Sequence, residues 1–184
     1  RSFPAAVCLL ALSTACSAPP PAAPAAPFSV VEASFADMQA AMAEGRVTSR
    51  QLVEQYLQRI ALYEERLNAT IAVNPKALDE ADRLDAERKA GQVRGPMHGI
   101  PIALKDNIHT TDMPTTGGAV AFEGFVPPYE ATLTTNLKEA GAIILAKTQM
   151  TELANFIAQG MPGNYNGLGG YGLNPYDPRR DPRA

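Results

Sequence analysis

Lys105, Asp106 and Asn107 stand in a row at the end of an apolar run, and a second lysine, Lys147, ends another. Residues 99–107 read Gly-Ile-Pro-Ile-Ala-Leu-Lys-Asp-Asn. With Ile100, Ile102, Ala103 and Leu104 apolar on both faces, the run predicts a strand buried on both sides of a sheet. A lysine leaving such surroundings loses hydration, and desolvation favours its neutral form. A partly neutral lysine is a base, so Lys105 is a candidate general base. The alternative is that Lys105 merely opens a solvated loop.

Other chemistry-bearing residues are sparse. His98 and His109 lie eleven apart without a cysteine nearby, and they read as polar loop residues flanking the strand. The two cysteines, Cys8 and Cys16, both fall at the extreme N-terminus, so no disulfide framework or zinc site is expected in the body of the chain. No metal is expected, since the ligands do not converge. Sixteen basic and 19 acidic residues give a net charge of −3 with no like-charge block, which speaks against nucleic acid as a partner. Six glycines between Gly160 and Gly172 either let backbone approach a ligand or make a flexible loop. Gly141 with Lys147-Thr148 is not a phosphate loop, because the second glycine before the lysine is missing.

The elements that must position these residues follow in order. Arg1 and the apolar residues 7–12, then Ser13-Thr14-Ala15, predict a secretory signal over 1–16. Leu12-Ser13-Thr14-Ala15-Cys16 also resembles a lipobox, so Cys16 is either lipid-bearing or lost with the leader. Residues 17–27 are Ala/Pro-rich and predict an extended linker. The folded part, 28–184, begins with a helix capped by Ser34 and Asp37 and stopped at Gly45. A second helix over about 49–65 follows a Thr48/Gln51 capping box, with Leu52, Val53, Tyr56, Leu57, Ile60 and Tyr63 on its core face. A short strand over 68–73 leads to a third helix starting at Asn74-Pro75 and ending before Gly91. Its charges, Asp79, Glu80, Asp82, Arg83, Asp85, Glu87 and Arg88, read as a solvated face. After the Lys105 strand come a helix over 131–140 and a doubly buried strand over 142–146. Strand, helix, strand implies a parallel crossover, which puts Lys105 and Lys147 at the same edge of the sheet, where α/β proteins place ligands.

Residues 95–107 resemble the entry to the active site of the amidase signature family. Met113-Pro114-Thr115-Thr116-Gly117 resembles its Thr-Thr turn. Residues 130–154 resemble its next helix, strand and loop, and 169–176 the segment before its serine-rich signature. The resemblance runs from about Phe28 to Ala184. It implies the α/β amidase signature fold, a mixed sheet flanked by helices. It also implies cleavage of carbon–nitrogen amide bonds by a serine, a second serine on a cis peptide, and a lysine, with no metal and no organic cofactor. On that basis Lys105 is the catalytic lysine and Ala154 lies near the acyl pocket, with a small-molecule or peptide amide as substrate.

The match is incomplete. No serine follows Ser49, so the family's two serines are expected beyond Ala184, and the chain is expected to be an N-terminal portion truncated before the sheet is complete and inactive alone. Apolar strand edges would then lack neighbours. Gly118 stands where many relatives have serine. Two rivals remain: the A subunit of a tRNA-dependent amidotransferase, and a non-catalytic exported binding module. The signal-like start favours an exported enzyme, periplasmic or anchored through Cys16.

Overall fold

The computed structural model describes residues 27–180. The proposed leader, Cys16 and all of the linker but Pro27 lie outside them. Helix α1 (Phe35–Ala43) opens with the expected capping box, Ser34 and Asp37 each accepting from the other's backbone. Helix α2 (Ser49–Leu67) has the second, Thr48 with Gln51. Helices α1, α3 (Ala77–Lys89) and α4 (Thr132–Glu139) each stop on a glycine of positive φ: Gly45, Gly91 and Gly141. At each stop the two amides after the cap turn back onto the last-turn carbonyls, for example Arg46 N to Ala41 O at 2.8 Å. That closure satisfies carbonyls a helix end otherwise leaves free.

Strands β1 (Thr70–Val73), β2 (Pro101–Lys105) and β3 (Ile143–Thr148) form a mixed sheet in the order β1-β3-β2. β2 and β3 are parallel with α4 between them, and β1 runs antiparallel to β3. One sheet face packs Ile143, Leu145 and Ala146 against Val53 of α2 and Ala77, Ala81 and Leu84 of α3. The opposite face packs Ile144 with Leu104 and Met113, and Leu137 of α4 reaches it. A third cluster joins Met38, Ala41 and Met42 of α1 to Leu52 and Ile100. A small hairpin, β4 (Tyr165–Asn166) and β5 (Gly170–Tyr171), follows.

The register of β3 carries an irregularity that matters for the site. Ile102 faces Ile144, but Ala103 faces Ala146, so Leu145 has no partner on β2. Against β1 the register shifts between Thr70 and Ala72, leaving Ile71 unpaired. Buried Asn74 serves the kinked stretch: its backbone N–H donates to Leu145 O and its amide to Ile144 O, each at 2.8 Å. Such a bulge re-aims the side chains after it. Strict alternation puts residues 143, 145 and 147 on one face. The extra residue instead brings Lys147 to the side of Ile144 and Leu104.

Several expectations are corrected. β2 is not buried on both sides: Leu104 is buried, while Ala103 and Lys105 are exposed, because among the described residues β2 pairs only with β3. β3 alone is buried throughout its apolar run. Tyr63 is outside the core, with Arg59 stacked over its ring. Helix α3 begins two residues later than its proline, because Asn74 Oδ1 accepts from Lys76 N and delays the first turn. Its charges are not all a solvated face either. Asp85 accepts from Ser49 N and Arg50 N at 2.8 and 3.0 Å, so a carboxylate from α3 caps the start of α2. His98 is buried rather than a polar loop residue: its Nε2 meets Leu84 O at 2.9 Å and its Nδ1 faces Arg94 N at 3.3 Å.

Replacing Asp85 strips an acceptor from two first-turn amides. Asp85→Ala is expected to cost about 1–2 kcal/mol in urea unfolding. Asp79→Ala, on an exposed first-turn position of α3 where no side-chain cap bond is made, is expected to cost less, about 0.5 kcal/mol or under.

Candidate active site

At the carboxyl end of β2 the side chains alternate. Ala103, Lys105 and Asn107 are exposed, and Leu104 and Asp106 are buried. Lys105 therefore sits where its sequence position predicted, at the sheet's carboxyl edge, but among the described residues it lacks the dry surroundings expected of it. Its backbone is fixed. Lys105 O accepts from Ile108 N at 3.0 Å, and Asp106 N reaches Thr148 O at 3.3 Å.

The dehydrated lysine is Lys147. Its side chain is fully buried. Its Nζ lies 2.8 Å from Thr115 Oγ1, 3.3 Å from Pro114 O and 3.4 Å from Asp106 Oδ1. Burial pushes this ammonium below the ordinary lysine range, and the Asp106 carboxylate pulls against that shift. Asp106 is also fully buried. Its Oδ2 accepts from Thr116 N at 3.0 Å and from Thr116 Oγ1 at 2.5 Å, while Oδ1 has no hydrogen-bond donor and faces Lys147. Thr116 Oγ1 in turn accepts from Gly118 N, and Gly117 N donates to Asp106 O. Two strand ends and the Thr-Thr turn are thus tied together around one buried ion pair. The sequence placed Lys147 at the sheet edge but gave no sign of this pairing, which depends on the bulge in β3.

Beside the pair on the exposed side is a cavity of about 190 Å³, walled by Asn107, His109, Thr116, Phe122, Phe125 and Leu153 among others. A larger hollow of about 420 Å³, between α1 and the start of the 93–96 loop, is lined mainly by alanines and Arg88 and holds no nucleophile or carboxylate. The smaller one borders the residues that can do chemistry. Ala154 is not in its wall. It lies in a turn where Leu153, Ala154 and Asn155 all have positive φ, 43°, 54° and 67°. Leu153 N donates to Gly117 O at 2.8 Å, so this strained turn is fastened to the Thr-Thr loop, and Leu153 is the residue that enters the cavity. The roles of Leu153 and Asn107 in the wall were missed by sequence reasoning, although both adjoin residues it singled out.

The glycine-dense segment forms an ordered hairpin packed on this site. Asn166 is buried, donates to Gln149 Oε1 and Met150 O, and accepts from Gly169 N. Gly118, at φ +75°, is pressed against it: a Cβ there would sit 2.7 Å from Asn166 Cβ. A serine side chain at 118 has no room, so its absence agrees with the packing. Asn68, left-handed at the end of α2, donates through Nδ2 to Gly169 O and Tyr171 O at 2.5 and 2.9 Å. Among the described residues no group of three or more His, Cys, Asp or Glu could hold a metal ion, and no helix is long and apolar enough to cross a membrane.

The fold is a mixed α/β domain with its polar residues gathered at the sheet's carboxyl edge, and comparison with known proteins gives its class. The Amidase family model matches residues 51–182, and the chain belongs to that family. It is 41% identical over 139 residues to the A subunit of the glutamyl-tRNA(Gln) amidotransferase of Rhodopirellula baltica, covering 75% of this chain and 27% of that protein. It is 40% identical over 152 residues to a probable amidase of Arabidopsis thaliana, covering 81% and 30%. Among solved structures it is similar to the native peptide amidase of Stenotrophomonas maltophilia, with a TM-score of 0.77 and 44% identity over 80% of this chain and 31% of that one. The same comparison with a peptide amidase bound to chymostatin gives a TM-score of 0.79. The chain therefore spans about 30% of the length of these relatives.

Gly118→Ala forces a Cβ into a left-handed position already filled by Asn166. It is expected to cost about 2–4 kcal/mol in urea unfolding. The buried lysine gives a pH signature. Its folded-state value lies below its unfolded one, so the unfolded chain binds more protons between the two, and stability from this group rises with pH across that window. Wild type is therefore expected to gain stability relative to Lys147→Met as pH rises toward the ordinary lysine range, in unfolding measured at a series of pH values.

Proposed function

We propose that the protein carrying this chain hydrolyses carbon–nitrogen bonds of linear amides, peptide amides being the favoured class, with Lys105 as the group that takes the proton. The observation that supports this most directly is positional. In a chain of the Amidase family, Lys105 ends a parallel strand on the open side of the sheet, two residues from Asn107 in the wall of a cavity. With no serine after Ser49, the nucleophile and the bridging serine on a cis peptide belong to residues outside this sequence. Those same residues are then what shields Lys105 from water. The likeness to peptide amidase structures at 44% identity supports the substrate class. Without those serines the chain alone is proposed to be inactive. Export, with Cys16 lipid-bearing or removed with the leader, is part of the proposal and rests on residues 1–16.

A second reading, an A subunit of a tRNA-dependent amidotransferase, draws on the 41% identity to a protein of that kind. It expects amide cleavage to be coupled to a charged-tRNA acceptor. The third, an exported binding module, expects no amide turnover at all.

The test is expression of the full-length protein and a screen of peptide amides and other small amides. Hydrolysis without tRNA is the expected result, and Lys105→Ala is expected to lower the rate on the order of a hundredfold or more. Near-wild-type turnover in that variant removes Lys105 from the mechanism.

A further inference from the structure

The buried ion pair is unused by that chemistry, yet it is the most tightly built feature near Lys105. We propose that Lys147 and Asp106 act as one positioning unit that sets the direction of Lys105 and the cavity wall at Thr116 and Gly117 relative to each other. This inference rests on the amidase reading above.

The geometry carries it in three steps. First, Asp106 follows Lys105 directly and points to the opposite side of the strand end, so holding the Asp106 carboxylate fixes where Lys105 projects. Second, that carboxylate is held from two directions, by the Thr116 backbone and hydroxyl and by Lys147. Third, Lys147 also grips Thr115 Oγ1 and Pro114 O, so the same cation holds the turn that walls the cavity. The charged groups that bear on Lys147 are Asp106 at the end of β2 and Asp112 in the following loop. Asp112 is itself engaged by Lys138 of α4 at 2.7 Å, which leaves Asp106 as the close counter-charge of Lys147.

The bulge in β3 falls in the right place to serve this purpose. Without the unpaired Leu145, Lys147 falls on the α2/α3 face among Val53, Ala77 and Leu84, turned away from Asp106. A lysine that only terminated a strand has no need of such an aim.

The experiment uses the full-length protein with Asp106→Asn, Lys147→Met and the double variant. Lys105→Ala serves as the reference for loss of the base. Each is assayed for kcat and KM on the best amide, and Lys105 reactivity is read separately by competitive acetylation and mass spectrometry. Asp106→Asn keeps an oxygen for Thr116, and the double variant strands no buried charge, so the double variant keeps the test open even if a single one does not accumulate. Misplacement of a catalytic group costs rate in the chemical step. The expected result is a kcat lowered by about tenfold to a hundredfold with KM near wild type, together with a severalfold change in the Lys105 acetylation rate. The double variant is expected to lose no more than the worse single one, because the two residues act as a unit. Folded variants with wild-type kcat and wild-type Lys105 acetylation overturn the inference. Wild type that cleaves no amide, with Lys105 acetylation still altered in the variants, overturns the amidase reading and leaves the positioning standing.

Discussion

A single buried ammonium group holds the end of this sheet together. Lys147 has surrendered all its hydration, and its compensation is one carboxylate at 3.4 Å, one hydroxyl and one carbonyl. Such a pair adds little net stability compared with an apolar replacement, but losing one member strands a buried charge at a cost of about 3–5 kcal/mol. What it provides is a unique arrangement. β2, β3 and the Thr-Thr turn meet at the pair, and each of the three contributes a group to it.

The surrounding elements are arranged so that this pocket is closed from bulk solvent. β3 is buried along its whole apolar run, with α2 and α3 on one side and the Met113 loop with α4 on the other. Leu104 and Met113 close the side on which Lys147 emerges. Asn74 takes the two carbonyls at the bulge, which removes the polar cost of breaking the ladder in the interior. The strain of three successive left-handed residues, 153–155, is borne next door, where Leu153 N anchors to Gly117 and Leu153 fills one wall of the cavity.

Much of the scaffold was legible in the sequence because its signals are local. Both capping boxes, the three glycine stops and the parallel β2–α4–β3 unit depend on residues close together in the chain. The position of Lys105 at the sheet's carboxyl edge was legible for the same reason. What was not legible depends on partners distant in sequence. Asp85 looks like any other charge on α3 until α2 is laid beside it, 36 residues away in the chain from Ser49. The meeting of Lys147 with Asp106 follows from one unpaired residue in β3, which sends that side chain to the face of Leu104, and the exposure of Lys105 goes with the edge position of β2 among the described residues. Alternation of residue types cannot reveal a bulge, since apolar side chains occupy both faces of β3.

The left-handed asparagine at the end of α2 has a consequence for the lifetime of the molecule. Asn68 suspends the glycine-rich hairpin by giving both hydrogens of its side-chain amide to backbone carbonyls, at Gly169 and Tyr171. Asparagine amides are slowly lost to deamidation, and the product carboxylate has acceptors only. At this position it faces two oxygens it can only repel. Chemical ageing at one side chain would therefore turn a clasp into a wedge and loosen that end of the hairpin, leaving the Asn166 bonds to Gln149 and Met150 to hold it.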